Sequence, residues 1–460
     1  MTADRPGRQL LAHALPMFAA AMAALLSSCG GNTIPPPGTP VVTFTATNKT
    51  FASYIVAIDS ITFTGADGSF ATPLVSPETV DLAKLSDLGE LVQAPAVPSD
   101  TYTSATVTLD YTAASVWVQD NGSSVHVTPV LPGGTGLLTA AITITFDPAH
   151  PLVITAYECA RVTLNFDLDA FNYVNLPAQT VSVNPFVTMS QPPLDSNPLR
   201  ARGLFVYTGS DFFVMNLRPF FDLVSALGAV YVDVSSTTYY NVNGTVYTGD
   251  AGLKAMSSML INTPIAVYGT LSSLNTITPS FKATTVLVGT ALESEGLADH
   301  LQGVVAARSG NTLTVIGGDY LYTTNVSDLY AVGGTYYLPS TQVTIGSATQ
   351  VFRDGDVASF NPQSISVGQE VDIAGASTVT TSGSVSMNAT AGQVRLLSTR
   401  AWGVLTTATP NSLSLDLASL ADFDPGAFNL TGARAEVGTV RVFFTSRLEP
   451  VTGPFGGGWR

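Results

Sequence analysis

The sequence GVVAARSGNTLTV at positions 303–315 is the clearest indicator of the fold, because it recurs at intervals of one hundred residues. The matching copies are GLFVYTGSDFFVM at 203–215 and GVLTTATPNSLSL at 403–415. In each copy a glycine leads an apolar run, a polar turn follows, and a second apolar run returns. This pattern is typical of a β-hairpin, and its fixed period indicates tandem repeats of one structural unit.

Later segments of the copies also correspond. Residues 232–238 match 343–349, and Ile265–Gly269 matches Val371–Gly375 and, more loosely, 440–444. Between the strands of the first copy, Leu253, Met256 and Leu260 have helical spacing. Each copy therefore predicts five or six strands and one short helix, which suits a small closed barrel of the OB type. The predicted units are repeat 1 at 202–296, repeat 2 at 300–398, and a truncated repeat 3 with a C-terminal tail at 399–460.

The three units resemble the family catalogued as domain of unknown function 5666. Its hallmark is a glycine-led hairpin followed by a Val-x-Val-x-Gly strand. The insert at 320–338 departs from the compact form of that family.

Residues 41–190 carry the alternating pattern of half-buried strands. Apolar and polar residues alternate from 105 to 111 and again from 142 to 146, which is the period of a strand with one face in a core. The Asp120-Asn121-Gly122 turn predicts a hairpin, and one short helix is expected at 82–91. We predict an all-β chain, with an N-terminal β-sandwich followed by tandem small β-barrel-like repeats with short helices.

Four motifs of this segment, in matching order, resemble the bacterial lipoprotein family catalogued as domain of unknown function 4382. They are Ile55–Ile61, Val80–Leu82, Pro98–Thr103 and Leu164–Asp169. Two positions depart from the family pattern, because Thr101 replaces a usual glycine and Ala83 a common second leucine. The resemblance implies a secreted or lipid-anchored β domain and no known activity.

The N-terminus has the order of a secretory signal. Arg5 and Arg8 precede an apolar stretch that ends in Leu26-Ser27-Ser28-Cys29. This ending resembles the lipobox of bacterial lipoproteins, in which the signal is cut before the cysteine and the thiol receives diacylglycerol. We predict a signal peptide at 1–28, lipidation of Cys29 and a proline-rich tether at 29–40. A plain secretory signal or an N-terminal anchor helix is the alternative.

The membrane is the partner that this resemblance implies, through the lipid on Cys29. In lipoproteins an Asp after the cysteine favours the inner membrane. Gly30 stands there in this chain, so we expect a cell-envelope protein anchored to the outer membrane, on its periplasmic or its surface face.

The composition excludes nucleic acid as a partner. Only 11% of the residues are charged, compared with roughly 25% in ordinary domains. Eighteen Lys and Arg oppose 33 Asp and Glu, which gives a net charge of −15, and such a chain cannot neutralise a row of phosphates. We assign the one close basic pair after the signal, Arg200 and Arg202, to solvated linker sequence, at the boundary between a linker predicted at 191–201 and repeat 1.

The sequence contains no motif of a known catalytic centre. His126, His150 and His300 are scattered along the sequence. The sequence contains neither the HExxH motif of metalloproteases, nor the GxSxG motif of hydrolases, nor a phosphate-binding Walker loop. With Cys29 bound to lipid, Cys159 has no disulfide partner and is expected to be a buried structural thiol. We expect no catalytic residues and no cofactor.

Three carboxylate pairs remain as weak candidates for chemistry, at Asp167/Asp169, Asp354/Asp356 and Asp422/Asp424. Asp167 and Asp169 share one strand face if the strand continues, and carboxylates suit a hard cation such as Ca²⁺. The competing interpretation is that all three pairs are polar turn or strand residues, so no metal site is predicted.

These observations favour a non-enzymatic, lipid-anchored envelope protein that serves as a structural or adhesive module for a protein or a glycan. Repeated modules extend reach or multiply contacts. Two alternatives remain: a hydrolase that cleaves polysaccharide with an Asp pair, and an assembly factor for surface proteins.

Overall fold

In the computed structural model, the chain divides after residue 36, and the unit that follows begins at Pro37. The structure describes residues 35–74, 78–86, 88–120, 123–130, 138–170, 172–194, 197–218, 227–291, 299–321, 335–353, 359–397, 401–409, 412–420, 439–443, 450–451 and 458–459. The predicted signal peptide, its lipobox and Cys29 lie outside these residues. Within them, no helix has the length and hydrophobicity needed to cross a bilayer.

The architecture is all-β, as predicted, and begins with a two-sheet sandwich. Its strands β1–β14 are Pro37–Thr47, Phe51–Gly65, Phe70–Ala71, Glu78–Asp81, Gly89–Gln93, Val97–Pro98, Asp100–Asp120, Ser123–Val130, Thr139–Thr145, Leu152–Ile154, Cys159–Asp167, Tyr173–Asn175, Thr180–Ser182 and Phe186–Ser190. One sheet has the order β14-β11-β1-β5, and the other has β12-β13-β8-β7-β2-β3, with β4, β9 and β10 added to its long strands.

Alternation along these strands builds the sandwich core. Phe44, Tyr54, Phe63 and Tyr102 are almost completely buried between the two sheets, as the period-two pattern requires. The predicted hairpin is confirmed, because Asp120 pairs with the first residue of β8.

The prediction of a helix at 82–91 is wrong over most of that range. A 3₁₀ turn spans Leu82–Ser86, and the following residues form β5 instead. The Asp81 carboxylate starts the turn by accepting a hydrogen bond of 3.0 Å from the Ala83 N–H. Pairing of β5 with β1 then replaces further helical bonds.

Repeat 1 forms a closed barrel, which we call barrel 1. Its strands β15–β21 are Leu199–Thr208, Phe212–Leu217, Ala229–Asp233, Tyr239–Val242, Thr245–Thr248, Pro264–Ser273 and Ser280–Val288, with helix α1 at Asp250–Met256 and a 3₁₀ turn at Gly289–Ala291. Leu253 and Met256 are buried under the barrel, whereas Leu260 lies beyond the helix and is exposed.

Repeat 2 forms barrel 2 in the same way. Its strands β22–β28 are Asp299–Ser309, Thr312–Leu321, Thr335–Thr344, Gln350–Arg353, Ser359–Phe360, Glu370–Val379 and Val385–Leu396, with a 3₁₀ turn at Pro362–Ser364.

The two barrels close with the same strand order. In barrel 1 the ring is β15-β16-β17-β21-β20, and in barrel 2 it is β22-β23-β24-β28-β27. The third strand of each ring runs parallel to the fourth, and all the other neighbours are antiparallel. Five strands in this order form an OB-type barrel, which leaves its main ring without an open edge.

The third unit contributes a three-stranded sheet of β29–β31, which span Ala401–Thr409, Ser412–Leu420 and Thr439–Phe443. Ser412 pairs with Phe443, as Phe212 pairs with Asp233 in barrel 1. Residues 440–443 therefore correspond to the third strand of a barrel, and the loose sequence match of 440–444 to Ile265–Gly269 is wrong. The short strands β32 and β33 are Pro450–Val451 and Gly458–Trp459.

Barrel 1 continues a sheet of the sandwich. Strand β15 starts at Leu199, inside the predicted linker, and pairs in parallel with β5. The assignment of Arg200 and Arg202 to a solvated linker is therefore wrong. Their Nε atoms donate to the two carboxylate oxygens of Glu90 at 2.6 and 2.9 Å, and the Glu90 side chain is completely buried. Strand pairing brings the arginines onto this carboxylate, which compensates its burial.

Barrel 2 also packs on the sandwich. The Trp117 and Tyr337 rings lie 5.1 Å apart, and the Tyr337 hydroxyl is 2.7 Å from the Ser124 hydroxyl. Lys84 Nζ donates to the carbonyl of Gly317 at 3.2 Å. The sandwich thus contacts both barrels through specific interfaces.

Candidate functional site

A β-bulge in the first hairpin of barrel 1 determines which side chains face outward. Leu199, Ala201 and Phe205 point into the core, as alternate residues of one strand should. The register of β15 and β16 then shifts between Phe205 and Tyr207. A bulge inserts one extra residue into a strand. Tyr207 therefore points outward, although it lies two residues after the core residue Phe205 and would point inward in a regular strand.

The bulge creates an exposed aromatic face. The Tyr207 and Phe212 ring centroids are 6.2 Å apart, and those of Phe212 and Tyr231 are 5.5 Å apart, both in edge-on contact. Tyr207 is 40% exposed and Tyr231 is 37% exposed. These side chains come from the first three strands of the barrel, and OB-type barrels bind their ligands on this side.

Local features give the Phe212 ring its space and keep the Tyr207 phenol protonated. Gly209 in the turn leaves room for the Phe212 ring, which a Cβ at that position would overlap. Partial burial raises the pKa of Tyr207, and the neighbouring Tyr231 adds to the effect through its charge and a hydrogen bond. The Tyr207 phenol therefore stays neutral and available as a hydrogen-bonding group.

Carboxylates and hydroxyls border the aromatic face. Asp211 follows the turn and accepts a hydrogen bond of 2.9 Å from the Ser210 hydroxyl. Asp233 pairs with Phe212 across the strands and accepts one of 3.0 Å from the Ser272 hydroxyl. The site therefore combines stacking surface with hydrogen-bond acceptors and negative charge.

The bulge recurs in the other two units, but the aromatic rings do not. Register shifts fall between Val305 and Ala307 and between Leu405 and Thr407. The residues of barrel 2 that correspond to Tyr207, Phe212 and Tyr231 by strand pairing are Ala307, Thr312 and Gln342.

A buried ionic cluster contains His300. Its Nδ1 lies 3.1 Å from one carboxylate oxygen of Asp372, and Arg395 donates to the other at 2.6 Å. Burial raises the pKa of Asp372, but the charges of Arg395 and His300 outweigh burial and lower it, and Arg200 of barrel 1 contributes. These side chains are at most 8% exposed, so the cluster stabilises the structure and presents no open site.

The other two histidines lie apart from this cluster. His126 packs against Trp117 on the outer side of β7 and β8, with 5.0 Å between the ring centroids. His150 is exposed and contacts Asp147 at 3.3 Å.

The thiol of Cys159 is half-buried. Burial raises its pKa to about 12, and the Cys159 N–H donates to the carbonyl of Leu274 in barrel 1 at 3.0 Å. The protonated thiol fits the expected structural role.

The weak metal candidates form a turn. Asp167 Oδ1 accepts hydrogen bonds from the N–H groups of Asp169 and Ala170 at 3.2 and 3.1 Å. Among the described residues, no three His, Cys, Asp or Glu side chains gather as metal ligands. The pairs Asp354/Asp356 and Asp422/Asp424 lie outside the described residues.

No protein-family model fits the chain, and no curated protein is similar to it in sequence. The two family resemblances therefore stay predictions. The aromatic face was not predicted from the sequence. The signal that could have indicated it is the pair of aromatic residues, Tyr207 and Phe212, on either side of the turn at Gly209.

Proposed function

We propose that the chain is a lipid-anchored, non-enzymatic envelope protein that binds a neutral glycan at the aromatic face of barrel 1. The observation that carries this proposal is the exposed set Tyr207, Phe212 and Tyr231 bordered by Asp211 and Asp233. Aromatic rings cover the apolar C–H faces of sugars, and carboxylates accept hydrogen bonds from sugar hydroxyls.

The charge distribution favours a sugar over a nucleic acid. Nucleobases also stack on aromatic side chains, but their phosphates need cations nearby. Asp211 and Asp233 stand at the aromatic face instead, on a chain with a net charge of −15.

The anchor part of the proposal is supported by the sequence Leu26-Ser27-Ser28-Cys29 after a positive and an apolar segment. Gly30 favours the outer membrane. The sandwich and the barrels contact one another through buried side chains, which suits an adhesive module that presents its site in a fixed orientation.

The hydrolase alternative is less well supported. Asp167 directs its carboxylate to two backbone N–H groups, so it lacks the free position of a catalytic acid or nucleophile. The assembly-factor alternative differs in its ligand, because such a factor would bind an unfolded protein rather than a glycan.

Calorimetric titration of the mature chain with a panel of neutral oligosaccharides tests the proposal. We expect at least one oligosaccharide of the panel to bind. Its affinity for Phe212→Ala should be about tenfold lower than for the wild type, a loss of about 1.4 kcal/mol in binding free energy. Thr312→Ala in barrel 2 is the matched control and should bind like the wild type. Formation of cleaved oligosaccharide would favour the hydrolase. If no glycan binds and an unfolded surface protein does, the assembly factor is favoured.

A further inference from the structure

Four strongly exposed hydrophobic side chains border the end of the sandwich where β1 begins; three belong to the sandwich, and Ile277 belongs to the loop of barrel 1 between β20 and β21. Phe70 is 74% exposed, Tyr157 is 63%, Val153 is 45% and Ile277 is 42%. We call these four residues the tether-end surface. Single exposed hydrophobic residues are ordinary, whereas a group at one end of a molecule marks an interaction surface.

Two of these residues lie beside the first residues of β1. The Tyr157 N–H donates to the carbonyl of Pro37 at 2.8 Å, and the Thr39 hydroxyl donates to the carbonyl of Ile277 at 2.7 Å. Both residues therefore border the point at which the chain enters the sandwich.

The other two residues lie on the neighbouring strands. Asp100 pairs with Ile154, the residue after Val153, and its carboxylate accepts a hydrogen bond of 2.8 Å from the hydroxyl of Ser69, the residue before Phe70. Strand β6 connects the two halves of the surface, because Pro98 pairs with Pro37.

The length of chain before Pro37 limits how far this end can be from a membrane. Cys29 lies eight residues before Pro37, which is at most about 28 Å when the chain is fully extended. Strand β1 has 11 residues and is itself about 36 Å long. A lipid on Cys29 therefore holds the start of β1 within about 28 Å of the bilayer, whereas the far end of β1 can lie up to about 64 Å away.

We propose that the tether-end surface rests on the lipid bilayer, with Phe70 and Tyr157 in its interfacial region. The proposal rests on the lipid anchor of the proposed function. Tyr157 suits the membrane interface because its ring is apolar and its hydroxyl is polar, and the apolar ring of Phe70 suits the boundary with the acyl chains. Asp67 and Glu158 lie beside the surface in sequence, and Asp100 lies beside it through its pairing with Ile154 and its hydrogen bond with Ser69. The contact is therefore with zwitterionic lipid rather than with anionic lipid.

The far end of the sandwich provides matched controls. Phe186 is 41% exposed and pairs with Asp167, which pairs with Thr47 at the end of β1. Tyr173 is 71% exposed and follows Asn172, whose amide donates to the carbonyl of Leu168 at 2.8 Å. A Phe and a Tyr are thus exposed at each end.

Fluorescence quenching by brominated lipid tests the proposal. The lipidated chain is reconstituted in phosphatidylethanolamine and phosphatidylcholine vesicles, and Phe70→Trp and Tyr157→Trp are compared with Phe186→Trp and Tyr173→Trp. We expect the Trp emission added at the tether end to be quenched about twofold or more, as for a side chain at the acyl boundary. The emission added at the far end should be unchanged.

Equal quenching at both ends, or no quenching at positions 70 and 157, would overturn the bilayer contact. Mass spectrometry of the same samples reports whether Cys29 carries lipid. If Cys29 carries none and the chain does not associate with vesicles, the anchor is overturned and the bilayer contact falls with it. A lipidated chain without quenching overturns only the bilayer contact.

Discussion

Barrels 1 and 2 have the same strand order and the same bulge in their first hairpin, yet only barrel 1 combines that bulge with an aromatic face. The bulge turns Tyr207 outward in barrel 1, and Ala307 occupies the matching position in barrel 2. The repeat therefore supplies a backbone that aims side chains outward, while the residues at those positions decide whether a ligand can be bound.

The barrels also differ in how they satisfy buried charge. Barrel 1 directs Arg200 and Arg202 to Glu90 of the sandwich, whereas barrel 2 pairs Asp372 with its own Arg395 and His300. Attachment of barrel 1 therefore depends on a charge of the sandwich, whereas Asp372 is paired mainly within barrel 2, with a smaller contribution from Arg200 of barrel 1.

The largest expected effect comes from Glu90→Gln. The substitution removes the buried carboxylate to which Arg200 and Arg202 donate, and breaking a buried ion pair costs about 3–5 kcal/mol. Urea unfolding followed by Trp fluorescence measures the loss. The control is Asp147→Asn in the exposed pair with His150, which should unfold at the same urea concentration as the wild type. A loss below about 1 kcal/mol in Glu90→Gln would contradict the role of this cluster.

Substitution at the leading glycine of the repeat has the next largest effect and compares the barrels directly. A Cβ at Gly203 would overlap the carbonyl oxygen of Asn216, whereas a Cβ at Gly303 would lie 2.6 Å from that of Ile316. Forcing extra atoms into a packed position costs about 1–3 kcal/mol. We expect Gly203→Ala to be more destabilising than Gly303→Ala in thermal unfolding, and the reverse order would contradict the tighter approach in barrel 1.

Acid should weaken the cluster of barrel 2. The pKa of Asp372 is lowered in the folded state. The ionised carboxylate therefore stabilises the fold above the ordinary Asp pKa of about 3.9, and this stabilisation is lost as the pH falls from there through the lowered pKa. The melting temperature of the wild type should therefore fall more steeply on acidification than that of Asp372→Asn. Parallel curves for the two proteins would contradict the contribution of this carboxylate.

The sequence predicts most of the fold, because the one-hundred-residue period and the alternation in each copy are local signals. Tyr207 shows why the site does not follow from the same signals. Strict alternation places it in the core beside Phe205, and only the bulge reverses its direction. Glu90 and Arg200 are 110 positions apart, and they meet through a strand pairing that no local pattern encodes.

Grafting the aromatic face onto barrel 2 has the smallest expected effect. The triple substitution Ala307→Tyr, Thr312→Phe and Gln342→Tyr places rings at the matching positions of the same backbone. We expect a second, weaker glycan site in calorimetric titration, because Asn311 replaces the bordering Asp211. An unchanged stoichiometry in a folded variant would show that the rings alone are insufficient.

We predict that a glycan binds on the first three strands of barrel 1 and not on those of barrel 2. Hydrogen exchange with mass spectrometry, with and without a bound oligosaccharide, locates the binding site. We expect slower exchange in the peptides that cover 207–216 and 229–233, with no change at 307–316 and 340–344. Protection confined to barrel 2, or spread equally over both barrels, would refute the assignment of the site to the aromatic face.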